Sequence, residues 1–395
     1  MHRNDVSNRF PSLPSWLRHG HAARAIRSIL AISVVLATST TLIGCGADDE
    51  PGPDDARPAE LSLVATFGKD MVTGVAISPT GRQFVTFPRL FLEPGTASLA
   101  EIAGDGKLVP YPDQTMNSWQ AGQPGNDVFV SIQSAYVDGR GRLWVLDTGS
   151  PFLMGVLPGA AKLVEIDLAS NQVARTITFD DQAVPTNAFL NDVRIDPAGE
   201  HAYITDAGLG RLLVVDLADN SARAVLADHP SMLGEAGVIA TVHGFEMRLP
   251  DGNPVVGHVD GIAVTDTFVY YHALTSRTLY RVPSALLEDP ATPVDTLAQA
   301  VEKVAETGVH DGIEADRAGN LYLTDVETSS LARYTTDGKL EVLISDPRAE
   351  WPDSLAIGPD GFLYVTMSQI HLLPPFNSGT DRRSNPSSLY KLALP

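Results

Sequence analysis

The stretch NDVRIDPAGEHAYITD, from Asn191 to Asp206, decides the fold because the chain repeats its pattern. Each copy has a small or polar start, aliphatic positions, a turn rich in Gly, Asp or Asn, and an aromatic and aliphatic run. Two such short runs joined by a tight turn predict a β-hairpin. The other copies are QSAYVDGRGRLWVLD from Gln133, DGIAVTDTFVYYH from Asp260, DGIEADRAGNLYLTD from Asp311, DSLAIGPDGFLYVTM from Asp353 and a looser TGVAISPTGRQFVTF from Thr73.

Six hairpins about 40 to 70 residues apart predict a radial array of sheets. Further strand pairs between the copies would complete four-stranded blades. We therefore predict an all-β fold, a six-bladed β-propeller, over residues 60–395. The terminal stretches ELSLVATFG, from Glu60, and SSLYKLALP, from Ser387, are expected in one blade, since propellers close by pairing strands from both ends. Only residues 290–306 have a helical pattern, enough for a turn or two.

The first 44 residues are predicted to be a lipoprotein signal peptide. Arg24 and Arg27 precede the apolar stretch Ser28–Gly44. The run Leu42-Ile43-Gly44-Cys45 resembles the lipobox of bacterial lipoproteins, in which the signal peptide is removed and the Cys is lipidated on its thiol. An ordinary secretory signal or an uncleaved anchor is the alternative. Because Cys45 is the sole cysteine, the chain has no intrachain disulfide.

Residues 45–59 are acidic and rich in Pro, which predicts a flexible tether. The expected location is extracytoplasmic, with the protein anchored to the lipid membrane of the cell envelope through Cys45. Where the cell has two membranes, Gly46 after the lipidated Cys favours the outer one.

Charge excludes nucleic acid as a partner. Removal of residues 1–44 leaves 23 basic against 47 acidic residues, a net charge of about −24 with His neutral. Such a chain repels phosphate backbones, and the sequence has no basic stripe. A neutral or cationic small-molecule ligand is the expected partner, although acidic surfaces also serve solubility alone.

The residues that start the copies are expected to converge, because the first strand of each blade lines the channel of a propeller. They would form a ring of oxygen donors from Gln133, Asn191, Asp192, Asp260, Asp311 and Asp353. Carboxylates brought together are costly to bury unless they are protonated, hydrogen-bonded or bridged by a cation. A hard divalent cation such as Ca²⁺ is the natural cofactor. The alternative is that these Asp-Gly and Asn-Asp pairs make turns and accept backbone N–H bonds.

Two charged residues depart from the repeat. Arg194 and Glu314 stand where three other copies have Ala, and a charge on an inner strand is expensive to bury without a partner. They are candidates for function or for a structural ion pair. His258 and His310 lie shortly before two Asp residues of the ring and could place an acid-base group there, or be simple surface residues.

Taken in order, five segments resemble the Yellow and major royal jelly protein family: PYPDQTMNSW from Pro110, VSIQSAYVDGRGRLWVLDTG from Val130, AYITDAGLGRLLVVDL from Ala202, HVDGIAVTDTFVYYHALTSRTLYRVP from His258 and WPDSLAIGPDGFLYVTMSQI from Trp351. The resemblance implies a six-bladed propeller with a ligand pocket at one mouth of the channel. Some members look like dopachrome-converting proteins, and others bind biogenic amines or serve as storage proteins. This chain departs from the insect members in lacking a disulfide pair and in its bacterial type of lipid anchor.

The chain is more distantly similar to the SMP-30 and gluconolactonase group. The similarity implies a divalent metal held by Glu, Asn and Asp at the starts of inner strands, which polarises a lactone carbonyl. Asn191 and Asp260 stand at matching starts and are the candidate metal ligands. The early Glu is missing, because the first copy begins with Thr73-Gly74.

The sequence thus predicts a propeller that binds a small polar or aromatic molecule at the channel mouth. Proton transfer on an aromatic or ring-ketone substrate would need positioned carboxylates and a His. Metal-dependent lactone hydrolysis and a non-enzymatic scaffold or storage role are the alternatives. The candidate catalytic residues are Asp260, Asp311, Glu314 and His310, and the candidate ligand-binding residues are Gln133, Asn191, Asp192, Arg194, His258 and Asp353.

Overall fold

The computed structural model describes residues 59–395, so the predicted signal peptide, Cys45 and almost all of the predicted tether lie outside the described residues. Within that part of the chain, 24 of the 26 strands form six antiparallel four-stranded sheets. The predicted all-β, six-bladed propeller is therefore confirmed.

The first three blades follow each other along the chain. Blade 1 consists of β2 (Val75–Ile77), β3 (Gln83–Thr86), β4 (Leu99–Ile102) and β5 (Leu108–Pro110). Blade 2 consists of β6 (Ile132–Val137), β7 (Leu143–Asp147), β8 (Lys162–Asp167) and β9 (Gln172–Thr178). Blade 3 consists of β10 (Leu190–Ile195), β11 (His201–Asp206), β12 (Arg211–Asp216) and β13 (Ala222–Val225).

A small hairpin of β14 (Thr241–Val242) and β15 (Phe245–Glu246) precedes the remaining blades. Blade 4 consists of β16 (Val259–Val264), β17 (Phe268–Ala273), β18 (Thr278–Pro283) and β19 (Glu302–Glu306). Blade 5 consists of β20 (Ile313–Ala315), β21 (Leu321–Asp325), β22 (Ser330–Tyr334) and β23 (Leu340–Ser345). Blade 6 consists of β24 (Pro352–Ile357), β25 (Phe362–Met367), β26 (Ser388–Ala393) and, from the other end of the chain, β1 (Ser62–Thr66).

The pairing of β1 with β26 confirms that the two terminal segments meet in one blade. This pairing joins the two ends of the described chain and so closes the array. The helical pattern in residues 290–306 gives one short helix, α2 (Val294–Gln299), and its end becomes strand β19. A second short helix, α1 (Ser284–Glu288), was not predicted, and it lies in the same connection of blade 4. Among residues 59–395 no helix is both long and apolar enough to cross a membrane.

Apolar side chains fill the spaces between neighbouring blades. Between blades 2 and 3, for example, Trp144 and Leu163 pack with Ile204 and Leu213, and all four are fully buried. Similar clusters occupy the other junctions of the array. Burial of these faces is the main favourable contribution to folding.

The first strand of each blade is the innermost, and each contacts the first strand of the next blade around a closed circle. The approach is close because several copies have Gly at the second position. A Cβ on Gly312 would lie 2.1 Å from the Asp353 carbonyl oxygen, and one on Gly261 would lie 2.3 Å from that of Asp311. Only glycine fits there. The Gly of each of these Asp-Gly pairs therefore allows close contact between neighbouring blades.

Candidate functional site

The predicted convergence is present at one mouth of the channel. Five side chains from successive inner strands, which we call the polar ring, are Gln133, Asn191, Asp260, Asp311 and Asp353. All are at least nine-tenths buried. They line a small cavity of about 10 Å³ together with Asp192, Gly312, Ser134 and Ser354. A cavity of this size holds one water molecule or one ion.

Shifts in the strand pairing of the inner strands determine where these side chains point. The pairing of β6, β10, β16 and β24 with the second strand of the blade shifts register at the position of the ring residue. A bulge of this kind bends the strand and re-aims one side chain. In blade 5 the regular pairing begins only after the ring residue, at Ile313. The ring residues therefore point into the channel from backbone that has left the regular ladder.

In blades 1, 3 and 6 a Thr on the second strand ties the inner strand to the inner strand of the next blade. Thr205 accepts a hydrogen bond from the Asp192 backbone N–H at 2.9 Å and donates one to the Asp260 carbonyl at 2.7 Å. Thr86 and Thr366 make the same bridge, to Gln133 and Thr73 respectively. Each bridge fixes the start of one inner strand relative to the preceding blade, and for Gln133 and Asp260 the fixed residue belongs to the polar ring.

The ring side chains bond mainly to one another. The Asn191 amide donates to Asp260, and Asp260 in turn shares a hydrogen bond with Asp311. The Trp351 indole N–H donates to the other side of the Asp311 carboxyl at 2.6 Å. Asp353 accepts a hydrogen bond from the Ser354 hydroxyl at 3.3 Å. The result is one connected polar row from Asn191 to Trp351.

No basic side chain compensates the three carboxyl groups. Among residues 59–395, Asp260, Asp311 and Asp353 form no ion pair. Burial raises the pKa of Asp311 to about 6, although hydrogen bonds with Trp351 and Asp260 oppose the shift. Burial and then the charge of Asp311 raise the pKa values of Asp260 and Asp353 well above the ordinary range. The cluster therefore retains protons at a pH where exposed carboxyl groups are ionised.

Gln133 supplies the cavity with a side-chain oxygen that accepts no hydrogen bond. Its side-chain Oε1 is buried and has no hydrogen-bond partner among the described residues. An unsatisfied buried acceptor is unfavourable by about 1–3 kcal/mol. The cavity that Gln133 lines thus has an excess of oxygen acceptors over donors, which is the donor set that a hard cation prefers. A cation held by Asn191 and Asp260 stays a prediction, because among the described residues the ring carboxyl groups do not form a group of three with ligand atoms within 4.8 Å of one another.

Apolar side chains cover this mouth. The segments that lead into the ring residues pack into two apolar clusters, and Leu153, Ile370 and Phe376 contact both. We call these three side chains the apolar cover. They come from the long connections 148–161, between β7 and β8, and 368–387, between β25 and β26.

His371 belongs to the same connection, 368–387, and the sequence did not mark it as a candidate. It stacks on Trp351, with ring centroids 6.0 Å apart, and both its ring nitrogens are buried without a partner. Burial lowers the pKa of His371 to about 4, and the neighbouring His243 lowers it further in the same direction. His371 is therefore neutral, and it approaches the polar ring only through Trp351.

Arg194, Asp192 and Glu314 lie on the inner side of the ring and close the channel. Arg194 donates to Asp192 at 2.7 Å, lies 3.5 Å from a Glu314 oxygen and sits over the Tyr136 ring at 5.2 Å. The alternative of a structural ion pair fits this arrangement. Beyond it, the channel opens into a funnel of about 1420 Å³ at the opposite mouth. Glu314 and Arg194 thus face away from the polar ring.

The two candidate histidines do not line the cavity. His310 is fully buried, and its Nδ1 lies 2.6 Å from the Thr324 carbonyl oxygen. Its other nitrogen has no partner, and its imidazole lies 5.1 Å from that of His272. His258 Nδ1 accepts a hydrogen bond from the Gly234 backbone N–H. Neither imidazole supplies an acid-base group in contact with the ring in this structure.

The residues that position the ring, the Thr residues of the second strands and Trp351, were not predicted from the sequence. A Thr occurs at the same place in four copies, as Thr86, Thr205, Thr324 and Thr366. Three of these hydroxyl groups, all but that of Thr324, bridge to the next blade. That repetition was a visible signal. Trp351 carries no such signal, because its contact with Asp311 depends on the connection between blades 5 and 6.

The fold and the site together define a six-bladed β-propeller with a buried ring of oxygen donors at one channel mouth. A family model described as major royal jelly protein matches residues 130–372. The chain therefore belongs to the major royal jelly protein family, as the five segments quoted above indicated.

Individual relatives agree with this assignment. The L-dopachrome tautomerase yellow-f of Drosophila melanogaster is 24% identical over 324 residues, which cover 72% of this chain and 71% of that protein. A gluconolactonase from Xanthomonas campestris has a TM-score of 0.51 at 13% identity, over 86% of this chain and 99% of that one. A luciferin-regenerating enzyme has a TM-score of 0.53 at 16% identity, over 85% and 95%. The two solved structures show likeness of fold alone.

The raised pKa of Asp311 predicts how stability depends on pH. A carboxyl whose pKa is higher in the folded than in the unfolded state stabilises the fold fully below pH 4, and this contribution is lost as the pH rises through about 6. In EDTA, Asp311→Asn should therefore flatten the decline between pH 4 and 7. At pH 8 the variant should be more stable than the wild type by about 1–3 kcal/mol in urea unfolding.

Asp266→Asn provides the matched control, since Asp266 is exposed in the turn between β16 and β17. It should leave the pH profile unchanged. A variant Asp311→Asn that is less stable than the wild type at pH 8 in EDTA would show that the carboxylate is well compensated in the fold.

Proposed function

We propose that this protein binds a small polar or aromatic molecule at the covered mouth and moves a proton on it through the carboxyl groups of the polar ring. The observation that carries the proposal is the row of three uncompensated carboxyl groups, with the pKa of Asp311 raised to about 6. A similar chemistry is named for the yellow-f relative, an L-dopachrome tautomerase.

A tautomerase needs a base and an acid on one substrate. The base removes a proton from carbon beside a carbonyl group, the acid delivers a proton to oxygen, and the balance of protons is zero. Adjacent carboxyl groups that cannot all ionise provide both states at one pH. The Asp260 and Asp311 carboxyl groups are neighbours whose pKa values are both raised, so a single proton held between them would leave one acid and one base.

The surroundings suit an aromatic or ring-ketone molecule. Trp351 borders the ring, and the apolar cover supplies Phe376 and Ile370 on the outer side. The cover has to move to admit such a ligand, and its three side chains come from connections between strands rather than from the strands themselves. Once closed, it excludes water from the carboxyl groups.

Metal-dependent hydrolysis of a lactone is the second candidate. It is favoured by the partnerless Gln133 oxygen beside Asn191, Asp260 and the other oxygen donors of the small cavity. These residues would hold a divalent cation such as Ca²⁺, which in such a site polarises a carbonyl group. The missing early Glu of the lactonase pattern, replaced by Thr73, argues against a complete match.

We also propose that the protein is a lipoprotein, anchored to the cell envelope through Cys45 and exposed outside the cytoplasm. The support is the lipobox-like run before Cys45 and the absence of any other cysteine. The residues 45–59 would then hold the propeller at a distance from the membrane.

Conversion of L-dopachrome tests the proton-transfer proposal. The purified full chain should consume L-dopachrome faster than buffer alone, followed by absorbance. Asp260→Asn should lower that rate by about 100-fold or more, because it removes one of the two proton-holding groups. Asp266→Asn should keep the wild-type rate. A wild-type rate equal to the buffer rate, or full activity in Asp260→Asn, would refute the role.

Thermal unfolding with Ca²⁺ tests the metal candidate. Millimolar Ca²⁺ should raise the melting temperature of the EDTA-treated full chain by about 5 °C. Gln133→Leu and Asn191→Ala should reduce the increase, since each removes an oxygen ligand. A protein that is indifferent to both EDTA and Ca²⁺ would exclude this candidate and leave the proton-transfer proposal standing.

Mass spectrometry of the membrane fraction tests the anchor. The mature chain should begin at Cys45 and carry a thioether-linked diacylglycerol, and Cys45→Ala should abolish incorporation of labelled lipid. An N-terminus at another residue, or an unlipidated Cys45, would contradict the lipoprotein assignment.

A further inference from the structure

We propose that Asp196, His201 and Glu288 form a binding site for a first-row divalent metal ion such as Zn²⁺. The site lies between blades 3 and 4, at the rim of the funnel and on the opposite side of the channel from the polar ring. Asp196 follows β10, His201 begins β11, and Glu288 ends the short helix α1 of blade 4.

The three side chains already converge. One potential ligand atom from each lies within 4.8 Å of the other two. His201 Nδ1 is 3.8 Å from Asp196 Oδ2, too far for a hydrogen bond. Metal bonds to nitrogen and oxygen are about 2.0–2.2 Å long, so ligand atoms around one ion lie about 3–4 Å apart. Small side-chain rotations would bring this group to that spacing.

The Nδ1 atom of His201 has no partner, which indicates that a ligand binds there. His201 Nδ1 is fully buried and has no hydrogen-bond partner among the described residues, although the side chain as a whole is 17% exposed. A buried ring nitrogen without a partner is unfavourable unless something binds it. Its nearest carboxylate, on Asp196, forms no ion pair with Arg or Lys within residues 59–395, and neither does Glu288.

Comparison with the other blades shows that this arrangement is a departure from the repeat. In blade 2 the equivalent Asp138 uses Oδ2 to accept hydrogen bonds from the Trp144 indole and Arg142. In blade 5 the equivalent Asp316 uses Oδ2 to accept from Asn320 and Tyr322. In blades 2 and 5 the carboxylate Oδ2 atom is thus hydrogen-bonded to side chains of its own blade.

Blade 3 changes each of these partners. Tyr203, which corresponds to Trp144 and Tyr322, donates instead to Glu288 Oε1 at 2.7 Å. Asp196 Oδ1 accepts from the backbone N–H groups of Glu200 and His201, so its orientation is fixed. Asp196 Oδ2 therefore loses its aromatic donor and faces His201, while Tyr203 holds Glu288 in place.

These contacts have the form of an outer shell around a metal site. Ligating carboxylates are commonly held by hydrogen bonds from a second layer of groups, here Tyr203 and two backbone amides. One imidazole nitrogen and two carboxylate oxygens suit Zn²⁺ or another first-row divalent ion better than Ca²⁺, which prefers oxygen alone. A bound ion would also tie blade 3 to α1 of blade 4.

Titration with Zn²⁺ alone tests the proposal. The chelator-treated full chain is titrated by calorimetry, and bound zinc is counted after dialysis. His201→Ala and Glu288→Gln should each remove one equivalent of bound Zn²⁺ or weaken its binding at least 100-fold. Tyr203→Phe, which removes only the hydrogen bond to Glu288, should weaken binding about tenfold. Zn²⁺ should raise the melting temperature of the wild type and not that of His201→Ala.

Matched controls separate this site from others. Asp311→Asn alters the polar ring and should keep the zinc equivalent that depends on His201 and Glu288. Any zinc bound elsewhere is common to the wild type, His201→Ala and Glu288→Gln, and it cancels in that comparison. Glu288→Gln retains the acceptor for Tyr203 and so guards against misfolding, which circular dichroism checks. Equal zinc stoichiometry and affinity in the wild type, His201→Ala and Glu288→Gln would overturn the proposal.

Discussion

The close approach of the six inner strands is the constraint on which the rest of the structure depends. Where an inner strand has Gly at its second position, the carbonyl of the next strand occupies the place of a side chain, as Gly312 and Asp353 show. In blades 1, 3 and 6 a Thr bridge then fixes the height of the inner strand against that of the next blade. Because the first residues of adjacent strands are held this near, their polar side chains are brought together whatever their charge.

Burial of three carboxyl groups in that position is unfavourable, and among residues 59–395 no basic side chain forms an ion pair with them. The one buried guanidinium near them, Arg194, is occupied by Asp192 and Glu314 on the other side of the ring. Retained protons are one way to reduce this charge, and burial raises the pKa values of all three carboxyl groups accordingly. Selection for stability alone would favour Asn at such positions, since an amide keeps the hydrogen bonds without the charge.

Sequence alone predicted the hairpin repeat, the six blades and the closure through both termini. It also predicted a ring of six polar residues, of which five form the polar ring and the sixth, Asp192, pairs with Arg194. Those features follow from patterns of period two and from symmetry. Contacts made by irregular connections could not be predicted, which is why Trp351 on Asp311 and the apolar cover were missed. Likewise, Arg194 and Glu314 stood out as departures from the repeat, but only the structure shows that they face the funnel. The departure at His201 and Glu288 required comparison of hydrogen bonds between blades.

Infrared spectroscopy of the carboxyl groups measures the central claim directly. In the metal-free full chain at pH 7, a band from protonated carboxyl groups should be present, and Asp260→Asn or Asp353→Asn should diminish it, because burial keeps these groups protonated. Titration to high pH should remove the band. A spectrum at pH 7 that contains only ionised carboxylates, unchanged in shape by either variant, would contradict the account of an uncompensated ring.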